Sequence, residues 1–361
     1  MVTRNHKWEE DCTCDNARAW TASLAWKEKG VVVTRFLAID SGKGGIGKTT
    51  WAQNLAYILA VLGRKVALVD TDKQAMSSNL VDVDAVPEKK WYTLTDVIRS
   101  GLPLLDAMYQ ARTGLYVVPS DTNIEKAANY ILVEEATEVM VDRVGDLLAA
   151  LASASDHTLP WQEKEAIRIR DFKPLPRILG PDVLVRPEYL DYVIFDFGGD
   201  PGALGRAIRR IGSFQRFEIW APVGLEFMPM QGFAQLALTV KDMFKRKPEQ
   251  EPPIYIVPFK VNHKRDLTTK YLAELYFYYP QVTMRSVHDD GIVPTSQDVV
   301  PAQTLFEFSR SSRPTKEVFE LALRVDGYTG HLEGSPNCAI CQEIHEYVRQ
   351  QLAEQTAQRK G

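Results

Sequence analysis

Eight residues, Gly42 to Thr49, limit what this chain can fold into more than any other stretch: Gly-Lys-Gly-Gly-Ile-Gly-Lys-Thr. They fit the pattern G-x-x-x-x-G-K-[S/T]. They lie between "VVVTRFLAID", which is apolar and β-branched, and "TTWAQNLAYILAVLG", which reads as a helix. Strand, glycine-rich turn and helix in that order make a cradle for phosphate. Glycines let the backbone wrap closely, the N–H groups of the turn point inward, and the helix adds its positive N-terminal end. In this reading Lys48 neutralises the β- and γ-phosphates and Thr49 ligates Mg2+. Gly42, Lys43, Gly44, Gly45, Ile46, Gly47 and Thr50 complete the loop. Lys43 is a second lysine that an ordinary loop of this kind does not require. A glycine-rich turn with incidental lysines is the competing reading, and the flanking elements weigh against it.

The region from about 31 to 327 alternates short β-rich runs with helical patterns. "KVALVD", "LYVVPS", "YVIFDF", "FEIWAPV" and "PIYIVPF" read as strands, and "EEATEVMVDRVGDLLAALA" and "MQGFAQLALTVKDMFKRK" as helices between them. That rhythm argues for an α/β chain of the P-loop NTPase class, a mostly parallel twisted sheet with helices on both faces. In the helix after the loop, Leu55, Ile58, Leu59 and Leu62 fall on one stripe and Gly63 sits at the C-cap. Three segments break the rhythm: an N-terminal extension over 1–30, an insertion at about 152–189, and a helical tail over 328–361. The insertion reads as a surface excursion or a partner-binding face.

Acids at strand ends extend the site. Asp196 closes "YVIFDF", where the carboxylate that holds Mg2+ through water sits in phosphate-loop proteins, and Gly198 or Gly199 can turn an N–H toward the γ-phosphate. Asp70 and Asp72 close "VALVDTD". Such acids are often caps or solvated turns, but two strands ending this way beside a phosphate loop favour a site.

The balance of 43 Lys+Arg against 47 Asp+Glu gives no global basic field, although a local patch needs only a handful of cations. No apolar run approaches a membrane span and the first residues lack a signal-peptide core, so the chain reads as cytoplasmic. Ile344, Tyr347, Val348 and Leu352 form a tail stripe too polar for strong membrane insertion. Four cysteines do not make a disulfide scaffold. Cys12-x-Cys14 and Cys338-x-x-Cys341, with His345 four residues beyond, suit a tetrahedral Zn2+ site if the termini meet; otherwise they are reduced thiols without a ligand.

From loop through helix to second strand, "KGGIGKTTWAQNLAYILAVLGRKVALVDTDKQ" resembles the ParA/MinD family of deviant Walker A ATPases, above all its plasmid and chromosome partition branch. The resemblance spans roughly 33 to 327. It implies ATP and Mg2+ as cofactors, slow and partner-stimulated hydrolysis, and an ATP-dependent homodimer in which Lys43 reaches the other subunit's phosphates. It makes Asp72 the acid that orients water, beside Lys43 and Lys48 in the catalytic set, and places Asp70 near Mg2+. It also implies non-specific DNA binding, with Lys260, Lys264, Arg265, Arg310, Arg313 and Lys316 as candidate cations, and a ParB-like or other stimulating adaptor, with no membrane. Nucleoid association would follow from DNA binding. The alternative it leaves open is a regulatory ATPase that positions or recruits a protein cargo without DNA. Two departures stand out: "DFGGDPG" replaces the family's D-x-P-P, and Lys73 replaces proline in "DTDKQ".

Overall fold

A computed structural model describes residues 32–87, 90–127, 154–155, 167–199, 202–212, 217–262, parts of 268–288, and 302–327. Its centre is an eight-stranded sheet. The strands in chain order are β2 (Arg35–Ile39), β3 (Val66–Asp70), β4 (Tyr109–Arg112), β5 (Leu115–Val118), β7 (Tyr192–Asp196), β8 (Phe217–Gly224), β9 (Ile254–Val261) and β10 (Val287–His288). Their spatial order is β10-β9-β8-β2-β7-β3-β5-β4, and every pairing is parallel except β4 with β5. A further pair, β1 (Val32–Val33) with β6 (Ala154–Ser155), is antiparallel and separate. The run read as one strand from Val31 to Asp40 is thus two, with Thr34 at the joint donating to the Leu190 carbonyl at 2.7 Å.

Central strands are apolar on both faces because both faces are covered. Phe36 and Ala38 point into one core layer and Leu37 and Ile39 into the other. The first layer is completed by α2 (Leu94–Ser100), α3 (Gly202–Gly212) and α4 (Phe227–Met243), and the second by α1 (Lys48–Val61), α5 (Leu305–Phe308) and α6 (Arg313–Val325). The expected single apolar stripe on α1 is too narrow. Every residue from Thr50 to Ala60 is buried, because α6 and α5 close over the side the sheet leaves open. Gly63, at φ 88°, ends the helix as expected.

The described part of the insertion lies on the core. Ile169, Phe172, Leu175, Ile178 and Leu184 pack against the α1 layer, and the Leu175 N–H donates to the Tyr57 hydroxyl at 2.8 Å. Residues 128–153, which hold an expected helix, fall outside the described residues, as do the N-terminal extension and the tail with Cys12, Cys14, Cys338 and Cys341. At the starting end of the strands, Arg35 forks onto both Glu218 oxygens at 2.8 and 2.7 Å and also donates to the Val325 carbonyl. Arg64 binds Asp326 at 2.9 Å, and Asp326 accepts the Tyr192 hydroxyl at 2.7 Å. The end of α6 is thereby fixed beside the start of β2.

Candidate functional site

The phosphate loop leaves β2 at Asp40 and enters α1 at Lys48, at the carboxyl ends of the strands, where open α/β sheets bind ligands. Gly47 is the N-cap, at φ 97°; a β-carbon there would meet the Phe259 ring at 2.5 Å. The first turn of α1 carries no acid, so the helix end is open to an anion. Lys48 is buried, and its ammonium donates to the Lys43 carbonyl. Burial lowers its pKa, while Asp40, Asp196 and Asp72 favour the cation. Among the described residues the Lys43 side chain has no hydrogen-bond or ion-pair partner, and it is only partly buried.

Asp196 ends β7 with its two oxygens in different states. One accepts the Ser77 hydroxyl at 2.7 Å, and the other is buried with no hydrogen-bond partner. Burial pushes this carboxyl up to about 6, against the pull of Ser77, Thr49 and Lys48. Beside it in register, Asp70 is pushed up to about 7 by burial and by Asp196. Asp70 is already occupied: it accepts the Ser78 N–H and hydroxyl, each at 2.9 Å, and the Asp72 N–H at 3.1 Å. It shapes the turn that carries Asp72.

A buried carboxylate oxygen without a donor, next to Thr49, fits a hard divalent cation. Asp196 and Thr49 would hold Mg2+, which would supply charge neutralisation at the phosphates. Among the described residues no group of three or more His, Cys, Asp or Glu is set to hold a metal alone. The remaining ligands would come from phosphate and water.

Asp72, half-buried, stands over this floor. A β-carbon on Gly198 would lie 2.9 Å from its Cγ, and one on Gly199 would lie 3.3 Å from the Gly44 backbone. The glycine pair that departs from the family's prolines thus lets the β7 exit press against both Asp72 and the loop. Lys73, the other departure, turns outward to Glu125 at 3.0 Å.

Three parts escaped the sequence reading. Asp40 accepts the Gly42 N–H at 3.1 Å and pairs with buried Arg209 of α3; its place next to the loop was a usable signal, whereas nothing marked Arg209. Ser77 and Ser78 hold the acids. Lys260, expected on a DNA face, is exposed and donates to the Gly45 carbonyl at 3.0 Å, a role beside the loop that its sequence position did not signal. Of the other candidate cations, Arg310 donates to the Phe172 carbonyl at 2.7 Å, and Arg313 binds Glu317 at 2.8 Å and approaches His288 at 2.6 Å. Lys316 is partly buried on α6, and Lys264 and Arg265 fall outside the described residues.

Loop, sheet order and acid-lined floor together define a P-loop NTPase fold. A protein family described as an AAA domain matches residues 34–157. Over 91 residues, 25% of this chain, it is 38% identical to the chromosome partitioning protein ParA of Caulobacter vibrioides. Over 95 residues, 26% of the chain, it is 37% identical to the septum site-determining protein MinD of Bacillus subtilis. The chain spans about a third of these relatives' own lengths, 33% and 35%. Among solved structures, an ATP complex of a McdA variant from Cyanothece aligns with TM-score 0.60 at 17% identity, covering 83% of this chain and 99% of that one. MinD from Pyrococcus horikoshii with Mg-ADP aligns with TM-score 0.54 at 17% identity, covering 82% and 98%. The nucleotide-binding part of the chain is thus similar in sequence to ParA and MinD proteins, and its fold is the one those proteins share.

Proposed function

We propose that this chain is an ATP-dependent switch: it binds ATP with Mg2+, dimerises in that state, hydrolyses slowly with help from a partner, and so positions a cargo. The observation that carries this reading is Lys43. Its carbonyl serves the chain's own Lys48, while its ammonium has no partner among the described residues. A cation at the rim of the loop suits a phosphate chain from outside, and a second copy brings one. Within one copy, Lys48 and the loop N–H groups bind the phosphates, and Asp72, held against Gly198, orients the attacking water.

Sedimentation with ATP, ADP or no nucleotide tests the switch. The expected result is a dimer with ATP only. Lys43→Ala should stay monomeric with ATP yet bind it about as tightly as the parent in a fluorescent-nucleotide titration. Normal dimerisation of that variant would remove Lys43 from its role.

The cargo has two readings. Similarity to a chromosome partitioning ParA supports non-specific DNA. Lys260, Arg310 and Arg313 are exposed but each already bonds to the chain itself, which favours a protein cargo instead, as the names of MinD and of the antiactivator FleN of Pseudomonas aeruginosa suggest for those relatives. Random duplex DNA offered to the ATP form at low salt separates them: salt-sensitive binding supports DNA, and its absence leaves the protein cargo.

A further inference from the structure

Strand β9 breaks its own alternation at Lys260. Val257 and Phe259 face the α1 layer and Ile256 faces the opposite one, so Val261 should lie with Phe259. It lies in the layer of Ile256 instead. The pairing with β10 shows the same extra residue: Val287 stands opposite Phe259, and the next residue, His288, opposite Val261. Lys260 itself has φ 55°, a left-handed backbone that a lysine rarely adopts. Parity, register and dihedral agree on a one-residue bulge, a device that re-aims a side chain, often beside an active site. The bulge turns Lys260 out of the sheet and over the phosphate loop, where its ammonium meets the Gly45 carbonyl at 3.0 Å. Phe259, the residue before it, is the ring packed under Gly47.

We propose that Lys260 is a positioning residue of the nucleotide site, holding the Gly45 carbonyl outward so that the Ile46 N–H is turned toward the phosphate chain. In a planar trans peptide the C=O and the following N–H point in opposite directions, so fixing one fixes the other. A cation on the carbonyl also polarises that peptide and makes its N–H a stronger donor. The strained backbone at 260 is consistent with a side chain placed for a purpose, because strain persists where the surroundings over-determine it. The inference rests on the reading that the loop binds a nucleoside triphosphate.

Strain makes the test specific. Lys260→Gly should relax the left-handed backbone, so the nucleotide-free protein should melt at the same temperature or higher. Its affinity for Mg·ATP, titrated calorimetrically on the full chain, should nonetheless fall about tenfold, the scale of a lost charged hydrogen bond. Lys260→Arg, which keeps a cationic donor, should retain most of the affinity. Unchanged Mg·ATP affinity in Lys260→Gly would overturn the proposal. So would a joint loss of melting temperature and affinity that Lys260→Arg fails to restore. If the parent chain does not bind Mg·ATP, the reading of the loop fails instead, which keeps the two failures distinct.

Discussion

At Gly198 a single hydrogen in place of a side chain keeps Asp72 over the phosphate loop. Gly198→Ala would put a carbon 2.9 Å from the Asp72 carboxyl, and the side chain, being the softer partner, would move. Single-turnover assays should then show hydrolysis slowed by about 10- to 100-fold with Mg·ATP affinity kept, since small misplacements of a positioned group have effects of that size. Unaltered turnover would take Asp72 out of the reaction. The two lysines of the loop were legible in the sequence because their spacing is set by the turn itself. Lys260 was not, since an extra residue in a strand leaves no mark in composition, and without it Lys260 would belong to a different face. Arg209 was equally hidden: its partner Asp40 is 169 residues away.

Whole elements were easier to read than their edges. The five strands named beyond the loop all exist, because strands covered on both faces are unbroken apolar runs. β4 escaped because "MYQARTGLYVV" has a tight Gly114 turn within one β-rich run. The wrapping of α1 escaped because the residues that cover it, on α5 and α6, come some 250 positions later. Strands β3 and β7 end abreast, which sets Asp70 beside Asp196. Their carboxyls lie at about 7 and about 6, above the ordinary 3.8. The folded state therefore holds protons more tightly than the unfolded one. This contribution to stability is fully present below about pH 4 and is lost as the pH rises through about 6 to 7. Denaturant titrations of the nucleotide-free protein should accordingly show stability falling across that window. Asp196→Asn should flatten the fall and raise stability at pH 8. Mg2+ acts in the opposite sense, as it needs the anion, so stabilisation by Mg·ATP should grow with pH.

On the scale of the whole molecule, chemistry and closure occupy opposite ends of the sheet. The loop and acids lie where the parallel strands finish, while Arg35, Arg64, Tyr192, Glu218 and Asp326 form a buried network where they begin. Asp326→Ala would leave the Arg64 guanidinium and the Tyr192 hydroxyl without an acceptor. Denaturant unfolding should show a loss of about 3–5 kcal/mol, with residual nucleotide affinity unchanged in the folded fraction. A loss under about 1 kcal/mol would mean that α6 is held by apolar packing and the Arg35 contact, without help from Asp326.

Because Arg35 grips the carbonyl of Val325, the start of β2 and the end of α6 lie within one arginine side chain's reach of each other. A short linker could weld residue 327 to residue 32, and the chain could be reopened in the exposed turn near Lys247 without parting any strand from its neighbours. Such a circular permutant, if it folds and still takes up Mg·ATP, would show that nucleotide binding depends on how the strands lie in the sheet and not on the order in which the chain visits them.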